Sequence, residues 1–138
     1  MSTRGIYKFW DIRHPHESYF VYKQYDNYPQ GAADHIECAK GFAWELPRYE
    51  ADEFASAFVA ANKNPRGGEV RLISGHFMDQ ASVLDCHRWC DFFYEVRFKD
   101  GEDFWIAVHE SRFKDDAIVW DKVWEGWHRN MAREFDNA

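Results

Sequence analysis

Hydrophobic residues recur along this chain with two different periods, and the changes of period predict the order of strands and helices. Strict alternation over residues 92–98 and 104–108, on either side of an Asp-Gly turn, predicts a β-hairpin. Residues 5–10 and 19–25 are also β-prone and aromatic. They bracket the polar, proline-containing stretch 11–18, which predicts a turn and hence an N-terminal hairpin.

Between the two predicted hairpins, apolar residues recur with the spacing of an α-helix. Apolar residues at intervals of four and three over residues 32–46 predict a helix that starts after Pro29 and stops at Pro47. A second helix is predicted over residues 51–62, because acidic side chains precede its apolar face and the Pro-Gly segment 64–68 ends it.

The remaining segments complete an α+β pattern. Residues 69–73 predict a short strand, and residues 74–90 a loop with at most a turn of helix. Residues 119–124 predict a further strand that Gly126 ends, followed by a closing helix over 128–135. The order β-β-α-α-β-β-β-β-α lacks βαβ alternation. We therefore predict an α+β fold in which a mainly antiparallel sheet has helices packed on one face.

The composition fits one such domain and adds an excess of aromatic residues. A length of 138 residues predicts a single domain over 1–138. Twelve Phe, seven Tyr and seven Trp make up 19% of the chain. Rings in this number either fill the core or form a contact surface, where Trp and Tyr are enriched.

The net charge and the cysteine content indicate which kind of partner and which cellular compartment to expect. A formal net charge of −7 disfavours nucleic-acid binding, which uses a clustered basic face. The three cysteines, at positions 38, 86 and 90, are too few for a disulfide scaffold and predict a cytoplasmic protein. No segment approaches the ~20 apolar residues of a membrane span, so no membrane association is predicted.

The segment around Cys86, His87 and Cys90 is the strongest candidate for metal binding, because thiolates and imidazoles are zinc ligands. Structural zinc sites use two short ligand pairs, and Cys38 lies far away on the first predicted helix. We therefore predict no metal site. The chain also lacks a phosphate-binding Gly-rich loop ending in Lys and a Gly-x-Ser-x-Gly elbow, so no cofactor is predicted.

Two groups of residues are candidate sites. Arg4, beside the first strand, needs a partner if it is buried, and Asp26 at the end of the second strand could supply one. The pair either fixes the turn or lies at the mouth of a polar pocket that Tyr25 and Tyr28 flank.

The second group is the tryptophan stripe near the C-terminus: Trp120, Trp124 and Trp127. Trp120 and Trp124 are predicted to share one face of a strand, with Trp127 after Gly126. The stripe either packs in the core or forms a protein-binding or dimerisation patch.

The run Thr-Arg-Gly at 3–5 and the run Tyr-Asp-Asn-Tyr-Pro at 25–29 resemble a group of small phage, prophage and bacterial proteins of unknown activity. In that group the second strand ends in an Asp-Gly-Tyr-Pro-like motif followed by helical residues. This chain differs at Asn27, which replaces the common Gly and also tolerates positive φ, and at Gln24, where a His is expected. The positions that match are Arg4, Gly5, Asp26, Tyr28 and Pro29, with Gly126 as a weaker match.

The resemblance, the acidity and the aromatic excess favour a binding protein over an enzyme. The leading hypothesis is a phage- or prophage-derived accessory protein that contacts a host or phage protein through exposed aromatic residues, inhibition of a host defence complex being one version. One alternative is a small-ligand or nucleotide-processing enzyme, in which Arg4 holds an anionic group, Asp26 accepts a proton and Tyr28 closes the site. Another is a structural homo-oligomer.

Overall fold

A computed structural model of the chain describes residues 3–63, 69–73, 79–100 and 103–136. These residues form six strands and four helices. Along the chain they are β1 (Gly5–Asp11), β2 (His14–Lys23), α1 (Pro29–Lys40), α2 (Ala51–Asn62), β3 (Val70–Leu72), α3 (Gln80–Cys86), β4 (Phe92–Asp100), β5 (Asp103–Lys114), β6 (Ala117–Trp127) and α4 (His128–Asp136).

The strands form one mixed sheet in the order β3-β2-β1-β4-β5-β6. Four of the five neighbouring pairs are antiparallel, but β1 and β4 run parallel at the centre. The predicted α+β class is confirmed, and the sheet, predicted to be mainly antiparallel, is a mixed sheet with one parallel pair. The parallel pair arises because the chain leaves the β3 edge, passes through α3 and returns beside β1, in the same direction as β1.

The helices lie on both faces of the sheet, which corrects the prediction of one covered face. Helices α1, α2 and α4 pack on the face that carries Tyr7, Phe9 and Tyr94, here called the helical face. Helix α3 instead places Val83 in a cluster with Ile6 and other side chains of the reverse face. Side chains alternate between sheet faces, so each face has its own apolar cluster.

The buried aromatic side chains are all Phe or Tyr. On the helical face, Tyr49 stacks on Phe98 with ring centroids 5.1 Å apart, and Phe54 meets the edge of Phe104 at 4.7 Å. None of the seven Trp is fully buried, and each therefore contributes to the surface. A bulky indole with an N–H to satisfy is rarely buried completely.

The boundaries of β2 and α1 differ from the predicted ones. Strand β2 already begins at His14, and the register jumps from Phe9–Tyr19 to Asp11–His14, so residues 15–18 bulge out of the ladder rather than forming a turn. Helix α1 ends at Lys40 in a tighter last turn, where the Gly41 N–H donates to the Cys38 carbonyl oxygen at 3.1 Å, and does not continue to residue 46.

Strand β6 continues through Gly126, which was predicted to end it. The turn residues 101–102 of the β4–β5 hairpin and the segments 64–68 and 74–78 lie outside the described residues. Within the described residues, no helix combines the length and apolar character needed to cross a membrane.

Candidate interaction surfaces

The structure gives Arg4 and Asp26 different partners. The Arg4 guanidinium lies 5.5 Å from the centroid of the Trp89 ring, and the Arg4 backbone N–H donates to Asp91 Oδ2 at 2.9 Å. Asp26 has an exposed side chain and a φ of 61°, and its carbonyl oxygen accepts a hydrogen bond from His35 Nε2 at 2.9 Å. The described residues contain no ion pair between Arg4 and Asp26, so they do not form a joint polar site.

Tyr25 and Tyr28, predicted to flank that site, have exposed side chains at the turn before α1. Tyr28 is the N-cap residue of α1, and the carbonyl oxygen of Tyr25 accepts from Lys23 Nζ at 3.0 Å. Burial lowers the pKa of Lys23, although Asp26 and Glu69 partly oppose this shift. The two tyrosines therefore border a turn that backbone carbonyls and buried donors hold together.

The residue that fixes this turn is Asn27, which the sequence did not single out as a site. Its side chain is completely buried, and Oδ1 accepts from the Tyr7 hydroxyl at 2.6 Å. Nδ2 donates to the carbonyl oxygens of Thr3, Lys23 and Tyr25 at 2.9–3.0 Å. The two sequence runs that carry the family resemblance are thus joined to each other through one amide group.

The backbone around Asn27 completes this joint. The Tyr94 hydroxyl donates to the Asn27 carbonyl oxygen at 2.5 Å, and a Cβ on Gly5 would lie 2.7 Å from Asn27 Cβ. Asn27 therefore requires a glycine at position 5. Positive φ occurs at Asp26 rather than at Asn27, whose role is hydrogen bonding. In the sequence, Asn27 lies beside Asp, Tyr and Pro, and no local signal distinguishes it from an ordinary turn residue.

The tryptophan stripe is divided between the two faces. Trp124 packs on the helical face, with its ring centroid 5.9 Å from that of Phe135 in α4. Trp120 joins the reverse-face cluster, 6.3 Å from Phe93. The prediction that Trp120 and Trp124 share a face is wrong, because the β5–β6 register shifts between the pairs Val108–Trp124 and His109–Lys122.

Strands β5 and β6 extend beyond β4 as a two-stranded arm, defined here as residues 112–119. The ladder between β4 and β5 ends at Phe92–Glu110, whereas that between β5 and β6 continues to Lys114–Ala117. Three paired positions past Ser111 project the arm by roughly 10 Å. Asp115 and Asp116 both have positive φ, as a tight two-residue hairpin turn requires.

The reverse face of the arm is apolar and exposed. Phe113 is 72% exposed and pairs across the hairpin with Ile118, which is 37% exposed. At the base of the arm, Trp120 lies on the same face, because it is two positions from Ile118. Its Nε1 is buried and has no hydrogen-bond partner in the described part of the chain.

The opposite face of the arm carries an ion-pair network. Asp121 binds Lys114 Nζ at 2.6 Å and lies 3.8 Å from Arg112, which also contacts Glu110 at 3.3 Å. Hydrogen bonding by Lys114 lowers the pKa of Asp121. Opposite charges thus neutralise one another on this face, leaving Phe113 and its neighbours as the distinctive feature of the arm.

A second aromatic surface crosses the reverse face of the sheet as a straight row. Trp10 is in register with Arg97, Arg97 with Trp105, and Trp105 with Trp127, so the row spans four strands and about 14 Å. The Arg97 guanidinium lies 5.5 Å from the Trp10 ring centroid, and Arg129 lies 4.9 Å from that of Trp127. The row contains a member of the predicted stripe, Trp127, but its other members come from distant parts of the chain.

The three cysteines lie in different environments. Within residues 3–63, 69–73, 79–100 and 103–136, no group of three His, Cys, Asp or Glu side chains is placed to hold a metal ion. Cys38 and Cys86 are exposed, whereas Cys90 is buried. Burial, with the nearby Asp91 carboxylate, raises the pKa of the Cys90 thiol to about 12, so the thiol stays protonated at neutral pH.

A buried ion cluster joins α1, β5 and α4. Asp103 binds Lys40 Nζ at 2.9 Å and the Arg129 backbone N–H at 3.0 Å, and His128 lies 3.6 Å away. Burial alone would raise the pKa of Asp103, but hydrogen bonds from His128 and Lys40 and from the Arg129 amide lower it well below its usual value. His128 also donates from Nε2 to the Ala33 carbonyl oxygen, so the cluster cross-links three elements.

Three shallow cavities surround the α1–α2 connection and the start of α2. One of about 320 Å³ is lined by Lys40, Trp44 and Phe54 among others. The two others, of about 330 and 480 Å³, both have Glu50 and Asp52 in their walls. The acidic lining favours basic over acidic occupants.

The architecture defines this chain as an α+β protein with a six-stranded mixed sheet and two separate aromatic surfaces on its reverse face. No family model, curated protein or solved structure matches the chain.

Proposed function

We propose that this chain is a protein-interaction module, an accessory protein of phage or prophage origin that binds a host or phage protein through its arm. The observation that carries the proposal is the amphipathic character of residues 112–119. Phe113, the most exposed large apolar side chain of the described residues, stands on this arm opposite Ile118.

The distribution of charge on the arm supports a binding role. A hairpin that only capped the sheet would gain nothing from presenting a phenyl ring to water, because exposed apolar area is unfavourable. On the other face, Arg112, Lys114 and Asp121 satisfy one another. Burying the apolar face against a partner therefore removes Phe113 and Ile118 from water without stripping solvent from an unpaired charge.

The size of the arm favours insertion into a groove of a different protein. Stable symmetric interfaces bury about 800 Å² on each partner, which one Phe and one Ile side chain cannot supply face to face. A projecting hairpin buries both of its strands when it enters a concave site. The long outer edge of β6 is unsuitable for strand addition, because it is interrupted by the register shift beside Trp124 and carries Lys122 and Glu125.

A structural homo-oligomer is the second candidate, because Arg112 and Lys114 of the arm could exchange their ion pairs with Glu110 and Asp121 for pairs with the acidic cavity walls of another copy. Those cavities are lined by Glu50 and Asp52, whereas the arm carries Arg112 and Lys114. An enzyme centred on Arg4 and Asp26 has less support, since the two residues have separate partners.

The test is capture of partners from nuclease-treated host lysate by tagged wild-type protein and by a Phe113→Ser, Ile118→Ser double variant. Leu72→Ser is the matched control, because Leu72 is 63% exposed on β3 at the opposite edge of the sheet. Purified partner is then titrated against each protein. Loss of an anchor of this kind costs about 2 kcal/mol or more, roughly a 30-fold rise in Kd.

Support requires a stoichiometric partner that wild type and Leu72→Ser bind alike and that the arm variant binds at least 10-fold more weakly. A partner held equally by the arm variant would contradict the proposal, as would no stoichiometric capture at all. Light scattering after size exclusion identifies the alternative: an oligomer of wild type that the arm variant converts to monomer would favour self-association.

A further inference from the structure

Two arginines flank one pair of aromatic side chains on the reverse face of the sheet. Tyr22 of β2 belongs to the reverse-face cluster, and Arg71 of β3 is in register with it, its guanidinium 5.2 Å from the Tyr22 ring centroid. The Tyr22 and Trp89 centroids are 5.3 Å apart, and the Arg4 guanidinium lies 5.5 Å from the Trp89 centroid. These four residues are here called the arginine patch.

Neither guanidinium of the arginine patch forms an ion pair within the part of the chain that the structure describes. The neighbouring Arg88, by contrast, is neutralised by Asp85 at 2.9 Å. Asp91 accepts a hydrogen bond from the backbone N–H of Arg4 rather than from its guanidinium. Two positive charges are therefore left on one patch of an acidic chain, whose net charge is −7.

The Tyr22 hydroxyl does not supply the missing negative charge. Burial raises the pKa of Tyr22, so the phenol is protonated at neutral pH. Arg4 and Arg71 both oppose this rise in the pKa, because both guanidiniums act on the same hydroxyl. An anion near the tip of the Tyr22 ring would therefore be attracted by both arginines at once.

The exposure of the patch and the geometry of its donors indicate what it can bind. Trp89 is 49% exposed, Arg71 is exposed on the edge strand β3, and Arg4 is half-buried. A guanidinium binds an oxyanion through two parallel N–H bonds, so two guanidiniums offer more donors than the two oxygens of a carboxylate can accept. A phosphate monoester has three terminal oxygens and a charge of about −1.5 to −2, which matches both arginines.

We propose that the arginine patch binds the phosphate group of a phosphate monoester carried by another protein, of the phosphotyrosine type. The guanidiniums of Arg4 and Arg71 donate to the phosphate oxygens, and the exposed part of the Trp89 indole contacts the phenyl ring. Arginine clusters on open surfaces are a common means of recognising phosphorylated side chains, whereas small metabolites are usually enclosed in pockets.

The test is titration with the capped tripeptide Ala-phosphotyrosine-Ala, followed by nitrogen–proton correlation spectra of the Arg Nε–H groups. We expect saturable shifts at Arg4 and Arg71 with a Kd of about 1 mM, as suits a short ligand with few contacts. Arg48 is the internal control, because its guanidinium also lies over an indole, 3.4 Å from the Trp44 ring centroid, but belongs to the α1–α2 connection. Its resonance is expected to stay in place.

Three further ligands separate the charge, the phosphate and its source. The unphosphorylated tripeptide is expected not to bind. The sulfotyrosine tripeptide keeps the ring and three terminal oxygens but has a single negative charge, and is expected to bind about 5-fold more weakly. Adenosine monophosphate carries the same phosphate on a nucleoside and is also expected to bind more weakly than the phosphotyrosine tripeptide.

Protein variants test the two arginines separately. Arg4→Gln and Arg71→Gln are each expected to weaken binding of the phosphotyrosine tripeptide by about 10-fold, because each removes charged hydrogen bonds. Arg48→Gln is the matched control: it changes the net charge equally and is expected to bind as wild type does. Arg71 lies on an edge strand, so Arg71→Gln provides the decisive variant if Arg4→Gln does not fold.

Four results would overturn the proposal. The first is a titration without saturable shifts at Arg4 and Arg71. The second is equal binding of the phosphorylated and sulfated peptides. The third is an Arg48→Gln variant that loses as much affinity as Arg4→Gln, which would attribute binding to net charge alone. The fourth is tighter binding of adenosine monophosphate, which would overturn the assignment to a phosphorylated protein. None of these depends on Phe113, so failure here leaves the proposed role of the arm untouched.

Discussion

Replacing Asn27 by Ala tests whether one buried amide holds the N-terminal hairpin against α1. The substitution removes the acceptor of the Tyr7 hydroxyl and the donors to the carbonyl oxygens of Thr3, Lys23 and Tyr25. Tyr7 is completely buried, and burial raises the pKa of its hydroxyl, which therefore remains a protonated donor without an acceptor.

The expected loss follows from the groups left unpaired. A buried polar group without a partner costs about 1–3 kcal/mol. Because the Tyr7 hydroxyl and the Lys23 carbonyl both lose buried bonds, we expect Asn27→Ala to lower the free energy of unfolding by about 4 kcal/mol. A domain has about 5–15 kcal/mol in total, so this variant should be marginally folded, with a Tm lowered by roughly 10–15 °C.

Urea denaturation followed by far-UV circular dichroism measures the effect. The midpoint should fall while the slope m stays constant, because the surface exposed on unfolding is unchanged. Tyr7→Phe removes only one of the bonds and is expected to cost about 1–2 kcal/mol. Asn130→Ala is the matched control, because the Asn130 side chain accepts an exposed hydrogen bond from Arg133 rather than a buried one, and it should change stability by less than about 0.5 kcal/mol. If Asn27→Ala were no more destabilising than Asn130→Ala, the assigned role of Asn27 would be wrong.

Further predictions concern two glycines and a buried carboxylate. A Cβ at Gly126 would lie 2.6 Å from the Trp124 ring, so Gly126→Ala should cost about 1–3 kcal/mol. At Gly41, φ is −71° and an added Cβ would lie 3.4 Å from the nearest atom, so Gly41→Ala should raise the free energy of unfolding by about 0.4–1 kcal/mol. Equal urea midpoints for Gly41→Ala and Gly126→Ala would contradict this pair of predictions. The pKa of Asp103 is lowered in the folded state, so its stabilisation is complete above the unfolded pKa of about 4 and is lost as pH falls below it. Asp103→Asn should therefore lose less stability between about pH 5 and pH 2 than wild type does, and an unchanged acid limb in pH-dependent melts would refute the assignment.

The elements that could be predicted are those that a pattern within their own segment of sequence specifies. Alternation over 92–98 and 104–108 identified β4 and β5, because one face of each strand meets the helices. The apolar period over 51–62 identified α2 with its bounds, since acidic residues begin it.

The features that could not be predicted depend on long-range pairing. The parallel contact of β1 with β4 is specified by packing across the sheet and leaves no periodic signal in either strand. The register shift next to Trp124 reverses which face a side chain occupies, and alternation alone assumes that no such shift exists. Asn27 resembles any turn residue until Tyr7 and Tyr94 are known to approach it.

The three tryptophans of the predicted stripe, Trp120, Trp124 and Trp127, lie in different parts of the structure, and the distribution of aromatic residues explains why. Phe and Tyr fill the core, and the seven Trp lie around it. Trp124 covers the helical face, while Trp120 and Trp127 occupy separate parts of the reverse face. If the arm alone binds the partner, the row of Trp10, Arg97, Trp105 and Trp127 lies outside the binding region. Trp10→Phe should then capture the same protein partner as wild type does, whereas the Phe113→Ser, Ile118→Ser variant should not. Loss of capture by both variants without unfolding would show that the two surfaces act as one.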